Sequence, residues 1–168
     1  MLNEDLIEIA FIDQLTGQGF KFHHGPDIAP DSDNPQRNNF DSVVLENELL
    51  KAIERLNPGV PSSAINEAHQ KVLNLGTEDI MENNECFHTY LTSGVPVEFT
   101  KDGVSKGVNV DLLDIENPEN NTYWAVNQLV IKENNVNRRL DVVIYINGLP
   151  LVVVELKNAT SEKATIRN

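Results

Sequence analysis

Apolar residues return at helical spacing over residues 4–20, where Leu6, Ile7, Ala10, Phe11 and Leu15, with Gln14, form one stripe and Gly17-x-Gly19 ends the segment. Residues 21–40 break the pattern. His23-His24-Gly25-Pro26 and Pro30-Asp31-Ser32-Asp33-Asn34-Pro35 are turn-forming runs, so this stretch reads as loop. Helical spacing then resumes three times. Residues 41–56 carry Val44, Leu45, Leu49, Ile53 and Leu56 and stop before Asn57-Pro58-Gly59. Residues 63–75 open with a serine cap after Pro61 and close at Gly76; residues from 77 or 78 to about 91 end at Gly94. From Val95 the period changes to two. Strands are predicted over 95–99 and 107–113 about a turn at Lys101-Asp102-Gly103, and a polar connection over 114–121 leads to a longer strand over 123–132.

The chain is organised around its last third. Two runs rich in Val, Ile and Leu, residues 140–146 and 149–154, flank Asn147-Gly148, a strong hairpin signal. Strands this apolar are normally buried on both faces, so charges among them need partners or a task. Three occur at the end away from the turn: Asp141, Glu155 and Lys157. Glu155 and Lys157, two apart, share a face. A strict two-residue loop would set Asp141 opposite Val154. A three-residue loop with Gly148 left-handed shifts the register by one and sets it opposite Glu155; this bulged loop is the predicted one.

Two carboxylates and a lysine converging on a sheet edge suit metal-and-water chemistry. Hard oxygen ligands fit Mg²⁺, which keeps waters for a phosphate to replace, and a lysine beside it can steady a hydroxide or developing phosphorane charge. In an arbitrary hairpin the same residues form a strand cap and a surface ion pair. Elsewhere candidates thin out. The His23-His24 pair has no third ligand at a credible spacing and reads as surface, His69 and His88 as structural or exposed, and the Asp31–Asp33 tract lacks the Gly and Glu of a calcium loop.

At 168 residues the chain is long enough to bury roughly 70% of its unfolded surface and is one domain by length. No run approaches 18 apolar residues and the N-terminus lacks the basic and apolar regions of a signal peptide. A lone cysteine, Cys86, fits a reducing cytoplasm and reads as structural. The net charge of −13 is awkward for a polyanionic partner, but it is uneven: residues 121–168 carry +2, leaving −15 on residues 1–120.

The Asp-x(13)-Glu-x-Lys spacing across adjacent strands resembles the PD-(D/E)xK nuclease signature. The wording is longer than that: Asn137-Arg138-Arg139-Leu140-Asp141 followed by Asn147-Gly148-Leu149-Pro150-Leu151-Val152-Val153-Val154-Glu155-Leu156-Lys157-Asn158 resembles the N-terminal nuclease domain of the R subunit of type I restriction-modification enzymes. Asn117-Pro118-Glu119-Asn120-Asn121 and Ala125-Val126-Asn127-Gln128-Leu129 extend the likeness, with Leu140 departing from the generic proline before the aspartate.

The resemblance implies an α/β, restriction-endonuclease-like mixed sheet of about five strands flanked by helices. The acidic helical block would precede it, residues 1–94 being mostly helical and 95–168 carrying the sheet of a single domain. It implies a type I site-specific deoxyribonuclease with Mg²⁺ held by Asp141, Glu155 and the main-chain carbonyl of Leu156. Lys157 would position water, and a first-helix glutamate, Glu8 or alternatively Glu4, would approach from behind the sheet. Arg138 and Arg139 are natural phosphate contacts. Implied partners are double-stranded DNA and the modification and specificity subunits, which would carry sequence recognition. No Gly-x-x-x-x-Gly-Lys-[Ser/Thr] loop occurs, so ATP would act only through helicase domains absent from this chain. The chain then reads as an N-terminal fragment of a much longer subunit, ending before a helix with a Gln-x-x-x-Tyr motif. Another PD-(D/E)xK nuclease and a non-catalytic docking domain are the alternatives.

Overall fold

The N-terminal helical stripe becomes α1 (Glu4–Gly17) in the computed structural model, which describes residues 4–101, 103–133 and 136–157. Its end is tied by Phe20 N–H to Leu15 O and Gly19 N–H to Thr16 O, with Gly19 at φ +98°, the glycine-terminated cap the sequence carries. The buried face differs from the predicted stripe. Ile12 and Leu15 are buried with Phe11 against them, whereas Leu6 and Ala10 face outward. Helix α1 packs on Ala125 and Val142, flanked by Ile144 and Val154.

Those last residues belong to a four-stranded mixed sheet ordered β1–β4–β5–β6, made of β1 (Lys21–His24), β4 (Tyr123–Glu133), β5 (Val136–Ile146) and β6 (Leu149–Val154). Strand β1 runs parallel to β4; the β4–β5 and β5–β6 pairs are antiparallel. The segment predicted as loop over 21–40 thus contains a strand, followed by a 3-10 turn at Gly25–Ile28. Four residues reading Lys-Phe-His-His show no alternation that would reveal it. His23 is accordingly no surface residue: its ring stacks on Trp124 with centroids 3.9 Å apart.

The β5–β6 hairpin corrects the predicted loop. Asn147 (φ +52°) and Gly148 (φ +81°) form a two-residue turn with Ile146 paired to Leu149, the geometry an Asn-Gly pair favours. The one-residue shift enters further along. Tyr145 pairs with Pro150 and Ile144 with Val152, which leaves Leu151 as the extra residue. Pro150 has no N–H for the ladder, so an irregularity beside it costs little. Beyond the bulge Val142 pairs with Val154, and one more step sets Asp141 across from Glu155. The register is the expected one; its cause is different. Burial on both faces holds for residues 140–146 of β5 but not for β6, an edge strand among the described residues, where Val152 and Val153 are half exposed.

Behind β4 and β5 the segment leading out of the 3-10 turn is strapped down. Arg37 is buried and donates to Ser42 O and Val130 O at 3.1 Å each, and burial pulls its guanidinium below the usual pKa. Lys132 sits over the Phe40 ring, its N–H bonded to Phe40 O, and the hydroxyl of fully buried Tyr145 donates to Val43 O at 3.0 Å.

Residues Met1–Val43 and Tyr123–Asn168 form one compact unit and Val44–Thr122 a second, inserted within it. The inserted unit holds α2 (Glu46–Leu56), α3 (Ser62–Leu73), α4 (Ile80–Ser93) and a hairpin of β2 (Val95–Lys101) and β3 (Val104–Val110). That hairpin pairs only with itself among the described residues, so it does not extend the four-stranded sheet. Leu49, Ala52 and Ile53 of α2 and Ala64, Ile65, Ala68 and Val72 of α3 are its buried apolar faces. Buried Asn57 ties the end of α2 to Asp111, donating to its O and accepting from its N–H at 2.8 Å each. His69, also buried, bonds Glu46 O through Nε2. The acidic excess concentrates here: fourteen Asp and Glu against five Lys and Arg, net −9 of the total −13.

Candidate active site

The predicted catalytic hairpin residues lie in the outer unit, where β6 ends beside the middle of β5. Asp141 Oδ2 accepts the N–H of Leu156 at 2.7 Å, which fastens the chain just after Glu155 to the β5 carboxylate. Glu155 Oε2 and Lys157 Nζ are 3.2 Å apart, each side chain about half exposed. Asp141, Glu155, Leu156 and Lys157 therefore gather where β6 stops beside β5. Because Val142, Ile144 and Val154 face α1, strand alternation places Asp141 and Glu155 on the opposite face.

Alternation also separates the two arginines. Arg139, paired with Val130, shares the face of Asp141, whereas Arg138, paired with Ile131, points to the α1 side. Both are exposed. Arg139 thus lies on the face of the carboxylates and Arg138 on the other.

Glu8 lies on the buried side of α1, one turn before Ile12, and is half-buried. Its carboxylate is gripped at both oxygens: Asn127 Nδ2 donates to Oε1 at 2.7 Å and Gln128 Nε2 to Oε2 at 2.6 Å. Neighbours on a regular strand point to opposite faces and could not hold one carboxylate together. They do so here because Gln128 takes φ +52°, a left-handed conformation inside β4. The pairs flanking it are Asn127–Val142 and Leu129–Leu140, so the kinked residue occupies the rung of Asp141. Glu8 thereby reaches the sheet from behind, at the level of Asp141. The side chain of Glu4, the competing candidate, lies outside the described residues.

Sequence reasoning missed Asn127, Gln128 and His24. The available signal was two adjacent carboxamides in the middle of an apolar strand, between Val126 and Leu129. His24 Nδ1 lies 2.8 Å from Asn127 Oδ1. With Asn127 Nδ2 donating to Glu8, Oδ1 must accept, so His24 carries its hydrogen on Nδ1. Gly25 makes room for the kink: a Cβ there would come within 2.7 Å of both Asn127 O and Gln128 O. Gly25→Ala is expected to cost about 1–3 kcal/mol in urea denaturation; wild-type stability would show that the strand can yield.

Comparison with known proteins decides the family. Residues 1–168 match the family described as Type I restriction enzyme R protein N terminus (HSDR_N). The chain belongs to that family. It is 35% identical over 167 residues, 99% of its length, to the Type I restriction enzyme HindI endonuclease subunit of Haemophilus influenzae. It is 31% identical over 166 residues, 96% of its length, to the Putative type I restriction enzyme MjaIXP endonuclease subunit of Methanocaldococcus jannaschii. It spans only 16% of the length of either relative.

In this type I R-protein N terminus the donor set can be weighed against a divalent cation. Among the described residues no three His, Cys, Asp or Glu side chains form a ready cage. Mg²⁺ does not need one; it is usually held by one or two carboxylates and completes its shell with waters and phosphate oxygens. Asp141 keeps Oδ1 outside its bond to Leu156, and Glu155 is tied by a half-exposed ion pair, which is worth little and exchanges readily. The residues fit a magnesium-type site. No helix among the described residues is long and apolar enough to cross a membrane.

Proposed function

We propose that this chain is the DNA-cleaving part of a type I restriction enzyme R subunit, of the PD-(D/E)xK type, and hydrolyses phosphodiesters with a divalent cation. The single observation that carries the reading is the bond from Leu156 N–H to Asp141, which brings an aspartate of one strand against the Glu-x-Lys of the next. Asp141, Glu155 and the Leu156 carbonyl would hold Mg²⁺. When bound, it would supply positive charge to a phosphoryl oxygen and acidify a water. Lys157, now 3.2 Å from Glu155, would orient the attacking water through its ammonium protons. Arg139 receives the phosphate on the same face. The water oxygen forms the new P–O bond, one P–O ester bond breaks, and the departing oxygen takes up a proton.

Partners on this reading are double-stranded DNA and the modification and specificity subunits of a restriction complex, with ATP used by domains outside this chain. The charge of −13 argues that the 168-residue chain itself contributes little DNA affinity. Fluorescence anisotropy at physiological salt should give a Kd no tighter than the non-specific range of about 10⁻⁴–10⁻⁶ M; nanomolar binding would refute this division of labour. The cation site is tested by anomalous scattering from crystals soaked in Mn²⁺. A peak between Asp141 and Glu155, lost in Glu155→Ala, supports the reading, and its absence favours a non-catalytic docking domain.

A further inference from the structure

The assembly around Glu8 has features that a helix glutamate in solvent would not need. Its carboxylate is half-buried, receives two neutral amide donors, and makes no ion pair with a Lys or Arg among the described residues. The strand that supplies both amides holds a non-glycine residue at φ +52° to do so, and Gly25 is packed against that kink with no space for a methyl group. Left-handed conformations of ordinary residues persist where the surroundings over-determine them, and such residues cluster at working sites. Two amides leave a carboxylate its negative charge, whereas a lysine or arginine would cancel it. What the arrangement fixes is a carboxylate with no cationic side chain paired to it among the described residues, at the rung of Asp141.

We propose that Gln128, Asn127 and His24 are positioning residues that hold the Glu8 carboxylate in place behind Asp141, so that it strengthens divalent-cation binding at Asp141 and Glu155. Gln128 and Asn127 grip one oxygen each. His24 fixes which end of the Asn127 amide faces Glu8, since its Nδ1–H must be met by Oδ1. The inference rests on the cation-dependent reading of Asp141 and Glu155 and adds to it the residues that place the rear carboxylate.

The test is Mn²⁺ affinity of the full-length protein, read from the free-ion electron paramagnetic resonance signal, together with the thermal midpoint. Gln128→Gly is the informative variant, because glycine adopts φ +52° without strain and only the amide is lost. It should weaken Mn²⁺ binding about ten- to a hundredfold, as loss of a group supporting a metal ligand does, with no fall in thermal midpoint. Asn127→Ala should act in the same direction. In a Glu8→Ala background, itself weakened, Gln128→Gly should add nothing. Wild-type affinity in Gln128→Gly, or an equal loss with and without Glu8, overturns the positioning role while binding lost in Glu155→Ala keeps the cation reading intact. If the wild-type protein has no Mn²⁺ site that depends on Glu155, the cation reading fails, and this inference with it.

Discussion

Glu155→Ala in the full-length protein is expected to lower DNA cleavage at least about a hundredfold and to leave stability within about 0.5 kcal/mol. Both halves follow from position. Glu155 stands just past the end of β6, half exposed, and its ion-pair partner is the equally exposed Lys157. Removing such a pair costs the fold little. The same substitution takes away one of the two carboxylates proposed to hold the cation. Asp141→Ala should cut cleavage as deeply but also destabilise, because the Leu156 N–H loses its acceptor in a part-buried place. Lys157→Ala should lose cleavage and keep Mn²⁺ binding. Unaltered cleavage of plasmid DNA by Glu155→Ala would sink the nuclease assignment.

The largest effect on stability belongs to Tyr145. Its side chain is fully buried on β5, where the backbone pairs with Trp124 and Pro150, and its hydroxyl closes onto Val43 O. Tyr145→Ala should cost about 3–5 kcal/mol, a large share of the roughly 5–15 kcal/mol typical of a domain. Tyr145→Phe, which drops only one hydrogen bond, should cost about 1 kcal/mol. Trp124 is the only tryptophan and sits in the same sheet, so its fluorescence reports the unfolding of this unit. The phenol also sets an alkaline limit. Burial pushes its pKa up to about 12, from an ordinary value near 10. The folded state therefore keeps a proton the unfolded chain releases. This contribution is complete below about pH 10 and is lost as pH rises from about 10 to about 12, at up to about 1.4 kcal/mol per pH unit. In Tyr145→Phe that slope should disappear; a slope that persists would assign it to other groups.

Much of this arrangement can be read from residue order, and the misses have physical causes. Alternation and the Asn-Gly pair place the hairpin, and Pro and Gly bound the helices to within a few residues, but the expected serine cap of α3 is absent: its N-cap position is Pro61, with no side-chain cap; α2 begins at Glu46 because Asp41 and Val43 belong to the strap on the outer unit. A glycine at Gly148 is able to supply a bulge, which is why the register shift is expected there. Both Asn147 and Gly148 are instead satisfied by the tight turn, and the shift moves to the proline, which has no N–H to lose. At the site, Asp141, Glu155 and Lys157 are legible because charges are rare in apolar strands. The Glu8 clamp is not, since it depends on a backbone torsion at Gln128 that no side-chain period encodes. The nested units are equally silent in sequence: β1 finds its partner β4 across the whole inserted segment, a long-range parallel pairing with no local signature.

That nesting has a consequence for the order of assembly during synthesis. Glu8 and Gln128 are separated by 120 positions, so the helix bearing one carboxylate leaves the ribosome long before the strand that will grip it. At about 5–20 residues per second, α1 waits roughly 6–24 seconds for β4, while the inserted unit has all its own elements in hand and can fold first. A candidate site completed by residues this far apart in the chain is assembled last, after the inserted segment has been made.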